Sequence, residues 1–136
     1  HEDAEKIVKV IAGKFEKAEG PEKGHNVDPI YFHVILEEGK EFKCDVPGGH
    51  NSFVYLLAGD LSIGENKHDK TSNSNLILLD RGDKLIVKAN KKSEFLFIAG
   101  KPIGEPIARG GPFVMNTKAE IIEAVQDYHN GTFAKY

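Results

Sequence analysis

Turn signals interrupt most of this chain about every eight to twelve residues, which leaves room for short strands and almost none for helices. Ile7, Val8, Val10 and Ile11 form a first strand that stops at Gly13, and Gly20-Pro21, Gly24 and Asp28-Pro29 mark an irregular connection after it. Tyr31 to Leu36 is apolar at nearly every position, the pattern of a strand covered on both faces. Glu37-Glu38-Gly39-Lys40 then turns the chain into Glu41 to Val46, where Phe42, Cys44 and Val46 point one way. Pro47-Gly48-Gly49 precedes a strand from Ser52 to Leu57, and Ala58-Gly59-Asp60 turns it into Leu61 to Ile63. The polar stretch from Gly64 to Asn75 reads as the most exposed and mobile loop. Leu76 to Leu79, Leu85 to Val87 and Phe95 to Ala99 complete the series, with a turn at Arg81-Gly82-Asp83. Lys88, Lys91 and Lys92 around Asn90 read as a solvated hairpin tip. The expectation is an all-β domain.

One helix is expected, at the C-terminal end. Thr117 and Glu120 have the spacing of a capping box, so the helix starts at about Lys118. Ile121, Val125 and Tyr128 recur on one face, widened by Ile122 and Ala124, and Asn130-Gly131 supplies a left-handed stop. Pro106, Gly110, Gly111 and Pro112 keep the approach extended. The apolar stripe is expected to lie on the outside of a sheet, so that Ile121→Asp would destabilise the domain severely.

A chain of 136 residues fits one domain and buries roughly 68% of its extended surface. The net charge of −3 gives no general attraction to nucleic acid, and no apolar run approaches the length of a membrane span. The only methionine is Met115, so His1 as a first residue suggests a cleaved or truncated product. Cys44, the single cysteine, cannot form an internal disulfide and alternates with apolar neighbours, as a buried structural thiol does.

The run EPIARGGPFVMNTKAEIIEAVQDYHNGTF resembles the C-terminal signature of the pirin family. FLFIAGKPIGEP, HNSFVYLLAGDLSIG and KVIAGKF resemble matching segments of the second domain of those two-domain cupins. The resemblance thus covers nearly the whole chain. It implies a single cupin-type jelly-roll β-barrel, a double-stranded β-helix closed by a C-terminal helix. Residues 1–136 would form one domain, with barrel strands in 1–103 and a closing segment plus helix in 104–136. It also implies that iron and a quercetinase-like dioxygenation belong to a histidine-rich N-terminal domain absent from this chain. Protein partners or a homodimer are the associations to consider, in the cytoplasm of a prokaryote or the cytoplasm or nucleus of a eukaryote.

Catalytic cupins hold a divalent metal, often iron, with three histidines and a carboxylate. Counting back from Gly59 puts the carboxylate slot of the first cupin motif on Ser52 and the histidine slots on Val46 and Gly48, or on Asp45 and Pro47. Anchoring on His50 instead puts the carboxylate at Leu56 or Leu57. The second motif, started at Gly82, lands on Lys88, Asn90, Ser93 and Phe97. Only His50 remains as a weak metal candidate. The expectation is a metal-free, non-catalytic domain that covers and supports a metal-bearing partner domain, with Pro112, Phe113, Val114 and Met115 as a candidate inter-domain or partner surface.

The alternative is a binding module whose cavity takes a small, flavonoid-like ligand against Tyr31, His33, Phe53, Tyr55 and Phe97. His33 reads as a hydrogen-bonded strand residue, and a base built with Glu37 or Asp45 is the remote functional option. His25, His68 and His129 read as solvated positions, His129 at the negative end of the helix.

Overall fold

The computed structural model describes residues 5–22, 26–64, 69–72 and 75–134. His1, His25 and His68 lie outside the described residues. The chain divides into two compact units, one ending at Pro102 and the other beginning at Ile103.

The first unit is built on one antiparallel sheet of seven strands: β1 (Lys6–Ala12), β4 (Ile30–Leu36), β5 (Glu41–Asp45), β6 (Asn51–Ile63), β7 (Asp69–Ser72), β8 (Leu76–Leu79) and β9 (Lys84–Gly100). A small hairpin of β2 (Lys14–Phe15) and β3 (Ala18–Glu19) stands apart, in the stretch whose sequence reads as irregular. Two long strands organise the sheet. The last residues of β9 lie between β4 and the first half of β6, with Phe32 opposite Phe97 and Phe97 opposite Val54. The first residues of β9 lie between β5 and the second half of β6, with Phe42 opposite Val87 and Ile63 opposite Val87.

Several expected breaks are therefore continuous strand. Ala58-Gly59-Asp60 does not turn the chain; it is an irregularity inside β6, where the register against β9 shifts. Gly59 sits at φ 101°, and a Cβ there would run into Ser93 and the carbonyl of Lys92, so the close passage of β6 over β9 requires a glycine. Lys88 to Lys92 is not a hairpin tip but the middle of β9. Asn90 explains the difference: its Nδ2 donates to Asp60 Oδ1 at 2.5 Å and to Ser62 Oγ at 2.9 Å, a tertiary partner that turn chemistry ignores. Ser93, 1% exposed, accepts the Asp60 N–H at 3.0 Å and donates to the Lys91 carbonyl at 2.7 Å. Within the polar stretch from Gly64, Asp69–Ser72 pairs with Asp60–Ile63.

One face of this sheet is closed. Val8, Phe32, Val34, Leu36, Phe95 and Phe97 are fully buried, and Tyr31, His33 and Ile35, their neighbours in β4, are only half-buried. Both faces of β4 were expected to be covered; one is.

The second unit is a hairpin, β10 (Ala108–Gly110) against β11 (Phe113–Met115), followed by α1 (Lys118–Asn130). The helix begins and ends as its sequence requires. Thr117 and Glu120 form the reciprocal capping box, and Gly131 takes the left-handed cap at φ 71°. Its partner within this unit is the two-stranded hairpin: Ile121 lies over Gly110, where any Cβ would strike its Cγ2, and Tyr128 meets Phe113 edge-on at 5.9 Å. Ala124 is the buried residue of the helix, whereas Tyr128 is 66% exposed, so the apolar stripe is narrower than its periodicity suggests.

Candidate functional site

Alternation along the strands sends large apolar side chains to the buried face of the sheet. Five phenylalanines fill much of that interior through successive ring contacts. Phe15 lies 5.7 Å from Phe32 and 5.4 Å from Phe42, Phe32 lies 6.1 Å from Phe97, and Phe42 lies 5.8 Å from Phe95. The residues at the metal-motif slots do not supply ligands for iron. Val46 is buried, Asn90 and Ser93 are engaged in the hydrogen bonds that join β6 to β9, and Phe97 is core. Among the described residues no three of His, Cys, Asp and Glu come together in a group able to hold a metal ion. This donor set does not fit a cupin metal centre.

His50, 9% exposed, stands at the turn into β6. Its Nε2 donates to the Asp28 carbonyl at 3.1 Å, and its Nδ1 is buried without a hydrogen-bond partner among the described residues. Cys44 is half-buried; burial, with Asp45 beside it, pushes its thiol from 9.0 up to about 12. It is a thiol at neutral pH and not a nucleophile.

The five aromatic and histidine residues expected to share a cavity do not share one. Phe97 faces the interior, while Tyr31, His33, Phe53 and Tyr55 occupy the opposite face of the sheet. There the register sets them in two cross-strand rows, Tyr31–Ile98–Phe53–Leu78 and His33–Leu96–Tyr55–Leu76. A one-residue step reverses the face of a side chain, and the strand read from composition alone did not carry that parity. His33 donates from Nε2 to Glu94 Oε1 at 2.6 Å. Glu37 and Asp45 are not its partners; Glu37 pairs with Lys92 at 2.6 Å. The alternation Glu94-Phe95-Leu96 was the signal that could have placed Glu94 on the face of His33, had β9 been read as one strand.

Among the described residues of the first unit, two cavities bear on the site. The larger, about 540 Å³, carries Lys14 with the carboxylates of Glu19, Glu22, Asp28 and Asp45. The smaller, about 280 Å³, lies beside the turn between β8 and β9. Its wall includes Val46, Ser52, Ile63 and Leu85, and Asp80, Arg81 and Lys84 carry its charge. Sequence reasoning did not single out Arg81 or Lys84, because turn chemistry accounted for that stretch. In the second unit, Pro112, Phe113, Val114 and Met115 line an apolar recess of about 460 Å³ with Tyr128 and Phe133. Phe113 packs on Phe133 at 5.0 Å and on Tyr128, while Val114 is 61% exposed.

The profile of a family described as "Pirin C-terminal cupin domain" matches residues 31–134. The chain is 36% identical over 127 residues to a pirin-like protein of Caulobacter vibrioides, covering 93% of this chain and 45% of that protein. It is 38% identical over 104 residues to human pirin, covering 74% of this chain and 36% of pirin. The crystal structure of a quercetin 2,3-dioxygenase from Acinetobacter baumannii superposes with a TM-score of 0.83 at 32% identity, over 98% of this chain and 46% of the enzyme. The chain therefore spans about half the length of the relatives it matches. The fold is a mostly β cupin with one C-terminal helix. Among the described residues no helix is long and apolar enough to cross a membrane.

Proposed function

This chain belongs to the pirin family as a C-terminal cupin domain, and on that premise we propose that it is a non-catalytic, metal-free companion to a metal-bearing cupin domain. The observation that carries this reading is the content of the motif slots counted from Gly59 and Gly82: apart from Asp45 in one register, they hold valine, glycine, proline, serine, lysine, asparagine and phenylalanine, and no imidazole, where a cupin centre needs three histidines and a carboxylate. In the same reading, residues 1–136 are one domain, and the two halves of β6 and β9 wrap into a jelly-roll barrel around the phenylalanine core. Oxygenation of a flavonol, the activity in the name of the A. baumannii relative, would belong to the longer protein and its histidine-bearing domain. Large apolar side chains stand exposed on both units, Leu76 and Leu78 on the first and Ile107, Val114 and Ile122 on the second. Surfaces of that kind mark places where another domain or protein sits.

Metal analysis of the purified chain tests the reading. The expected result is no stoichiometric transition metal after loading with iron and desalting; one tightly bound iron per chain would refute it. Supplied as a separate polypeptide, the N-terminal half of a full-length pirin should bind this chain, and Val114→Glu with Ile122→Glu should weaken that binding.

A further inference from the structure

We propose that the cavity beside the β8–β9 turn binds a small organic carboxylate, its hydrocarbon end against the aliphatic wall and its head group at Arg81 and Lys84. This goes beyond the companion role and shares with it only the reading that the motif slots hold no metal ligands.

Val46 and Ser52, which line this cavity, are also positions where the first cupin motif would place a histidine and the carboxylate. Space is thus present where the donors are not. Val46, Ile63 and Leu85 are 6%, 9% and 3% exposed, a surface that accepts hydrocarbon and offers nothing to a metal. At the mouth, Arg81 and Lys84 outnumber the one carboxylate, Asp80, and neither cation has an ion-pair partner among the described residues. The charged lining of this cavity is two cations to one carboxylate, whereas the other cavity of the same unit is lined by one cation and four carboxylates.

Two backbone N–H groups of the rim are already engaged: that of Val46 donates to the Asp83 carbonyl at 2.8 Å and that of Gly64 to the Ile86 carbonyl at 2.9 Å. The two cationic side chains, Arg81 and Lys84, supply the anion recognition, and a guanidinium is suited to grip a carboxylate with two parallel hydrogen bonds. A volume of about 280 Å³ lies just below the roughly 300–1,000 Å³ of drug-sized sites, which restricts the ligand to a short aliphatic or single-ring acid.

The test is an amide NMR titration of the chain in EDTA with hexanoate and benzoate, with hexanamide and benzamide as neutral counterparts and inorganic phosphate as a bare anion. Saturable shifts are expected at residues 46, 52, 63, 77, 79 and 81–86, with affinity about tenfold or more below this for the amides and for phosphate. The double variant Arg81→Gln, Lys84→Gln, changed only at exposed positions, should keep the spectrum of the fold and lose about tenfold or more in carboxylate affinity. Equal binding of the amides or of phosphate, unchanged binding by the double variant, or no saturable shift at those residues at millimolar acid would each overturn the proposal. So would carboxylate binding that requires added iron. Iron bound without effect on the carboxylates would instead overturn only the companion reading.

Discussion

Gly59 and Gly64 separate two reasons for a glycine. Both have positive φ, 101° and 84°, but only at Gly59 would a Cβ meet neighbouring atoms, those of Ser93 and Lys92. Gly59→Ala should therefore lower unfolding free energy by more than Gly64→Ala, which carries the left-handed strain alone, about 1–3 kcal/mol. Paired urea titrations measure the difference. Cys44 makes a second argument at this scale. A thiol raised to about 12 in the fold from 9.0 favours the folded state while both states are protonated. That contribution is complete below pH 9.0 and is lost as pH rises toward 12. Folded protein at pH 8 should react with a thiol reagent far more slowly than denatured protein, and Cys44→Ala should flatten the alkaline fall in stability.

At the scale of elements, α1 and the β6–β9 pair are held by different means. The helix is local: its cap, its stop and its periodicity lie within a short span, which is why its start at Lys118 was legible in the sequence. Thr117→Ala should cost the helix about 1 kcal/mol, seen as faster hydrogen exchange over residues 120–123. Glu120, whose carboxyl is held below its usual value of 4.5 by bonds from the Thr117 side chain and backbone, gives the cap support that is present above that value. It is lost as pH falls through the lowered one, so helix fraying in acid should be steeper in the wild type than in Glu120→Gln. The bend of β6 against β9 is instead a tertiary device. Ser93→Ala removes the acceptor of the Asp60 N–H at a 1% exposed site. It should destabilise by about 1–3 kcal/mol, whereas Lys91→Ala on the same strand should not.

For the whole molecule, the aromatic interior carries the stability, and the opposite face of the sheet leaves large apolar side chains exposed. Phe42→Ala should cost about 3–5 kcal/mol, since its ring touches Phe15 and Phe95 in a core without exposure. Leu76→Glu with Leu78→Glu, at positions 56% and 76% exposed, should leave the melting temperature near its original value while reducing the binding of a hydrophobic dye. What the amino acids alone determined were the features written at short range: the β class, the strand cores and the capped helix. Tertiary structure decided the rest. It merged four expected strands into β6 and β9, because Asn90, Ser93 and Gly59 find partners across the sheet and not along the chain. It set Tyr31, His33, Phe53 and Tyr55 on the face away from Phe97. It also brought Arg81 and Lys84 to the cavity bordered by Val46 and Ser52. The physical reason is that capping, turn and periodicity energies depend on near neighbours, whereas register, facing and cavity shape depend on which distant strands pair.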